Sequence, residues 1–127
     1  MMTPRVLVVE DNPINLEVTV AFLEDKGCQI LTAETAELGL RLATAERPDL
    51  ILMDLHLPGM TGYEATHRLK ADPATAAIPV VALTAQAMRG DEARAKEAGC
   101  DGYLSKPLDR QRFRDTLRRF LPPGGAR

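Results

Sequence analysis

The chain has 127 residues, 45% of them hydrophobic, with no Trp, 4% aromatic residues and a formal net charge of −2. That is one domain's worth of sequence with enough apolar residues for a full core; sparse aromatics argue against stacking on single-stranded nucleic acid, and the balance of charge offers no basic footprint for DNA or RNA. No apolar run approaches the roughly 20 residues that span a bilayer, and the opening MMTPR has no signal-peptide layout, so a soluble, cytoplasmic protein is expected.

In chain order, RVLVVED (residues 5–11) is a short apolar run that ends on two acids. NPINLEVTVAFLEDKG follows as a helix, with Asn12 suited to the N-cap, Pro13 to the first helical position and Gly27 to the stop. CQILTA reads as a second strand, ETAELGLRLATAERP as a helix ended by Pro48, and DLILMD as a third strand. After the loop LHLPGMTG, YEATHRLKAD is a helix ended by Pro73. IPVVALTA is the fourth strand, GDEARAKEAG a helix stopped by Gly99, and CDGYLS a weak fifth strand. LDRQRFRDTLRRFL closes the domain as an amphipathic helix with Leu108, Phe113, Leu117 and Leu121 as its apolar stripe. Residues 1–121 thus form one domain, and PPGGAR (residues 122–127) reads as a flexible tail. The doubled Met at the start favours a natural N-terminus and a stand-alone protein, with a domain cut from a longer chain as the alternative.

Five alternations of strand and helix argue for a parallel sheet covered by helices on both faces. The flavodoxin-like member of that α/β class, a doubly wound (βα)5 fold, has strand order 2-1-3-4-5. Cys28 and Cys100 then lie on opposite edges, about 19 Å apart at roughly 4.8 Å per strand. A disulfide tolerates a Cα separation of only about 7 Å, so two free thiols are expected.

In such sheets ligands bind beyond the carboxyl ends of the strands. Those ends carry Glu10 and Asp11, then Asp54, Thr84 and Lys106. Each alone has an ordinary structural explanation: an acid pair at a helix N-terminus, a strand threonine, a solvated lysine. Together they share one crevice. Three carboxylates there stay ionised only around a cation, and Asp and Glu oxygens with room for water and phosphate suit Mg²⁺. Lys106 adds positive charge and Thr84 a hydroxyl donor. The set suits a phosphoryl group arriving at one aspartate, an established covalent nucleophile.

The motifs VVEDNPIN, PDLILMDLHLPGMTGYE, IPVVALTA and AGCDGYLSKPL, in that order and spacing, resemble the receiver domain of bacterial two-component response regulators. EDNPIN and ALTAQAMRGDE are most similar to single-domain cell-division regulators and to receivers of hybrid histidine kinases. The resemblance implies a signalling protein, not an enzyme acting on other substrates. Asp54 would accept a phosphoryl group from the phosphohistidine of a sensor histidine kinase or a histidine phosphotransfer protein. It also implies Mg²⁺ bound directly by Asp11, Asp54 and the backbone carbonyl of His56, and through water by Glu10. Thr84 and Lys106 would hold phosphoryl oxygens. His56 and Gln86 stand at positions that tune phosphoryl lifetime in the family, and Glu10 stands where many members carry Asp. A cis bond before Pro107 would aim Lys106 at the crevice. Tyr103 would be a switch aromatic in register with Thr84 and Lys106. The fourth helix (Arg89 to Ala98), fifth strand and fifth helix would form an output surface for a downstream protein or a second copy.

Three rival readings fit these residues less well. A phosphatase of the haloacid dehalogenase type needs a second Asp two residues after its nucleophile, where this chain has His56. A flavodoxin-like flavin protein needs a phosphate loop after the first strand, where Glu10 and Asp11 stand. A pseudo-receiver acting only as a binding module would lack Asp54 or Lys106. Finally, Ile14, Leu16, Val18, Val20, Phe22 and Leu23 place apolar groups on more than one face of the first helix. Either the core stripe there is wide, or the excess is an exposed docking patch with Ile14 as its contact.

Overall fold

A computed structural model describes residues 3–84 and 90–121. The opening methionines, Gln86, Arg89 and the tail 122–127 lie outside the described residues. Five strands, β1 (Arg5–Val9), β2 (Gln29–Ala33), β3 (Leu50–Asp54), β4 (Val80–Thr84) and β5 (Gly102–Ser105), alternate with five helices. The helices are α1 (Pro13–Glu24), α2 (Ala36–Glu46), α3 (Gly62–Ala71), α4 (Asp91–Ala98) and α5 (Arg110–Phe120). The strands form one parallel sheet in the order β2-β1-β3-β4-β5, the flavodoxin-like arrangement.

The continuous apolar strands follow from burial on both faces. Alternate side chains point to opposite sides, and in β1 Val6 and Val8 enter one core while Leu7 and Val9 enter another. The first core, with Leu50, Leu52, Val81 and Leu83, is closed by Leu23 of α1 and by Phe113 and Leu117 of α5. The second, with Ile51 and Met53, is closed by Ala36 and Ala43 of α2 and by Ala65 and Leu69 of α3. Leu121, at the end of the predicted α5 stripe, is also buried in the first core, and Leu108 packs against it.

Local chemistry sets the helix starts. Asn12 caps α1 by accepting the N–H groups of Ile14 (2.9 Å) and Asn15 (3.0 Å), with Pro13 next. Thr35, Thr61 and Asp109 cap α2, α3 and α5 in the same way. The ends differ from the sequence reading by small amounts. α1 stops at Glu24, and a turn through Gly27, with φ of +70°, leads to β2. Cys28 therefore precedes β2 instead of opening it. Cys28 and Cys100 are free thiols that pack against different cores.

Candidate functional site

β1 ends at Val9, so Glu10 and Asp11 stand just past it, held by a turn that leads into the Asn12 cap. The Glu10 N–H donates to the Ala33 carbonyl at 2.9 Å, fixing the turn to the end of β2. Asp54 is the last residue of β3, buried, and the Leu55 N–H after it donates to Leu83 of β4 at 3.0 Å. These two neighbouring strand ends bring carboxylate oxygens of Glu10, Asp11 and Asp54 within 4.8 Å of one another. Glu10 and Asp54 are buried and Asp11 is exposed.

Lys106 answers the crowding of charge. Its Nζ pairs with Glu10 Oε1, and the Asn12 N–H donates to Glu10 Oε2 at 3.2 Å. Burial pushes the Glu10 carboxyl above its ordinary range; Lys106 pulls it down and the neighbouring Asp54 raises it further. The Lys106 N–H donates to the Thr84 carbonyl at 2.7 Å, which joins the ends of β4 and β5. The Lys106–Pro107 bond is cis, as the resemblance implied. Thr84 is buried at the end of β4. All five strand-end residues read from the sequence therefore meet in one crevice. A donor set of three carboxylates, one of them open to solvent, with a lysine alongside, fits a hard divalent cation with positions left for water or phosphate.

The register places Tyr103 differently from expectation. Ser105 lies opposite Thr84, and Tyr103 lies opposite Ala82, two residues back. Tyr103 still shares the face of Thr84, since alternate residues point to the same side. It is half-buried, and its hydroxyl is pushed upward by burial and by Asp91 and Glu92 of α4.

Three residues escaped the sequence reading. Gly62 opens α3, and its N–H donates to the Leu55 carbonyl at 3.1 Å. A Cβ there would stand 2.1 Å from the Asp54 carbonyl oxygen and 2.8 Å from Leu55 Cα. A glycine directly after a Thr cap, where helix propensity favours almost anything else, is the signal that could have marked it. Tyr63 and Asp91 are both buried, and the Tyr63 hydroxyl donates to Asp91 Oδ1 at 3.0 Å. Burial and that carboxylate push the Tyr63 hydroxyl up to about 12. The loop after β3 touches the same carboxylate: the His56 N–H donates to Asp54 Oδ1 at 3.1 Å, and His56 Nε2 lies 3.7 Å from Asp91 Oδ2.

On α1, Ile14 is 71% exposed and Val18 is 42% exposed, whereas Leu23 is buried. The wide-stripe alternative therefore fails for these two residues. They form an exposed apolar pair one turn apart, beginning two residues after the Asn12 cap and so next to the crevice.

Comparison with known proteins places these features in context. The family model of the response regulator receiver domain matches residues 6–118. The polar-differentiation response regulator DivK of Brucella ovis is 42% identical over 120 residues, covering 94% of this chain and 98% of that protein. DivK of Brucella anthropi matches equally well. The receiver domain of the sensor histidine kinase PA1611 from Pseudomonas aeruginosa, whose crystal structure has a magnesium ion coordinated in the active site cleft, superposes with a TM-score of 0.87. It is 36% identical and covers 94% of this chain and 98% of that one. The chemotaxis protein CheY4 of Vibrio cholerae superposes with a TM-score of 0.87 at 28% identity, covering 94% of this chain and all of the other at 100%.

Proposed function

We propose, from the premise that this chain belongs to the response regulator receiver domain family, that Asp54 is the phosphoacceptor of a cytoplasmic phosphorelay. The observation that carries the reading is the meeting of Glu10, Asp11 and Asp54 within 4.8 Å, with Lys106 against Glu10. In this reading one Asp54 oxygen stays with the His56 N–H and the other attacks phosphorus. The phosphorus–nitrogen bond of the donor's phosphohistidine breaks, its electron pair returns to the imidazole, and an acyl phosphate forms on Asp54. Hydrolysis by water restores the carboxylate and releases inorganic phosphate. Asp11, Asp54, the His56 carbonyl and, through water, Glu10 would hold Mg²⁺, which when bound neutralises charge on the phosphoryl oxygens. Lys106 can leave Glu10 for a phosphoryl oxygen, and the Thr84 hydroxyl can donate to another.

The test is labelling of the full chain by acetyl phosphate. Uptake of one acid-labile phosphoryl group should require Mg²⁺ and stop when EDTA is added. Asp11→Ala should weaken Mg²⁺ binding, followed by NMR titration, by at least about tenfold, a loss seen even when outer partners of a metal site are removed. Labelling that proceeds unchanged in EDTA would remove the metal from the scheme.

A kinase or phosphotransfer protein must reach the crevice past α1. The exposed Ile14 and Val18 suit an apolar partner surface there. Ile14→Asp is expected to slow transfer from a phosphohistidine donor while acetyl phosphate labelling keeps its rate. Parallel losses with both donors would assign Ile14 to the fold instead of to docking.

For output, phosphorylation would draw the Thr84 hydroxyl inward and let the neighbouring Tyr103 side chain follow. The groove between α4, β5 and α5, lined by Glu92, Tyr103, Ser105, Pro107 and Arg112, is the surface this would alter. A downstream protein or a second copy of the chain would read it.

A further inference from the structure

α4 has little apolar hold on the domain. Of its eight residues only Asp91 and Ala95 are buried. Beneath it lies a small cluster of Leu55, Tyr63, Ala82 and Ala95, separate from the two main cores. Alanines bury little area, so hydrophobic burial alone anchors the helix weakly. α4 leans on α3 more than on β5, and it meets Tyr63 of α3, the largest side chain of the cluster. α4 grips that ring twice. Asp91 accepts the hydroxyl at 3.0 Å, and the Arg94 guanidinium lies over the ring, 4.2 Å from its centroid. A buried hydrogen bond to a carboxylate is stronger than a neutral one, and removing its donor leaves a buried acceptor without that bond.

The same carboxylate borders the acceptor loop. The His56 ring stands edge-on to Tyr63, with centroids 6.2 Å apart, and its Nε2 faces the second oxygen of Asp91 at 3.7 Å. The backbone of that same residue donates to Asp54 Oδ1. His56 is thus a joint: its main chain reads the state of Asp54, and its side chain rests on the Tyr63–Asp91 pair.

We propose that Tyr63 and Asp91 are positioning residues for the phosphoryl chemistry at Asp54: their hydrogen bond holds α4 in its resting place against the acceptor loop, and loosening it makes Asp54 easier to phosphorylate. The proposal rests on Asp54 as phosphoacceptor. Its logic is linkage. A phosphoryl group on the other oxygen of Asp54 turns the oxygen that accepts the His56 N–H from a carboxylate oxygen into the weaker, neutral carbonyl acceptor of an acyl phosphate, and so loosens the loop that borders the pair. An interaction that favours the resting arrangement then opposes phosphorylation by the same free energy, and phosphorylation weakens that interaction in return.

Tyr63→Phe removes the hydroxyl and keeps the ring under Arg94. In the full chain, the α4 amides of Tyr63→Phe should exchange with deuterium about tenfold faster than in wild type, the size of one charge-assisted hydrogen bond. With Mg²⁺ present, beryllofluoride, a phosphoryl mimic, should bind several-fold more tightly to the variant. Asp91→Asn, which keeps an acceptor for the hydroxyl but not the charge, should fall between the two, and it carries the same test should Tyr63→Phe fail to fold. Unchanged α4 exchange overturns the proposal. So does faster exchange with beryllofluoride affinity unchanged or weakened, which would make the pair a purely structural contact. A wild-type chain that takes up no beryllofluoride fails at the phosphoacceptor reading instead, a result distinct from a variant that merely equals wild type.

Discussion

Asp54→Asn is expected to abolish phosphoryl uptake from acetyl phosphate, a loss on the order of a thousandfold or more, as when a covalent nucleophile is removed elsewhere. The amide that replaces the carboxylate is no nucleophile towards phosphorus. The fold should survive. Asp54 Oδ1 accepts the His56 N–H at 3.1 Å, and an asparagine oxygen accepts the same bond. Removing one of three crowded carboxylates also relieves repulsion on Glu10, whose carboxyl Asp54 helps to raise. Intact-protein mass after acetyl phosphate treatment, beside a thermal melt, checks both halves. A variant that folds and still gains one acid-labile phosphoryl group at the wild-type rate would move the acceptor to another residue.

Gly62→Ala should be nearly as damaging, for a reason with no chemistry in it. In an open helix, alanine is favoured over glycine by up to about 1 kcal/mol. Here the new Cβ would stand 2.1 Å from the Asp54 carbonyl oxygen and 2.9 Å from its carbonyl carbon. Those are backbone atoms of the central strand β3, with no flexible side chain to yield. Overpacking of a rigid site costs about 1–3 kcal/mol, enough to outweigh the propensity gain. The relief available is to push α3 off the end of β3, which displaces Asp54 itself. A lower urea midpoint together with slower acetyl phosphate labelling is the expected pair of results. A midpoint raised as in an ordinary helix would mean that α3 has room the geometry denies it.

Much of this was legible because each signal is local. Apolar runs such as Val6–Val9 and Leu50–Met53 read as strands buried on two faces, and Asn12 followed by Pro13 reads as a helix start, without knowing what lies opposite. The crevice residues were legible for a related reason: parallel topology sends every strand's carboxyl end to the same edge, so five residues could be grouped from strand positions alone. What stayed hidden depends on distances between elements. Tyr63 and Asp91 are 28 positions apart and meet only because α3 and α4 are neighbours. The pairing of Tyr103 with Ala82 depends on where β5 enters the sheet, which the Asp101 N–H fixes by donating to the Val80 carbonyl. An excess of apolar residues on α1 was countable, but which of them face solvent depends on how Phe22 of α1 packs edge-on against Phe113 of α5.

The Glu10–Lys106 pair has a consequence for how the domain comes into being. Its two residues lie 96 positions apart, one past the first strand and the other past the last. Parallel neighbours cannot zip up as hairpins, and loop closure precedes any gain from such distant contacts. While the chain is being synthesised, Glu10, Asp11 and Asp54 all emerge before the lysine that offsets their charge. A nascent or truncated chain ending before β5 thus carries the acidic residues without their counter-charge. The crevice is complete only once the last strand has brought Lys106 to Glu10.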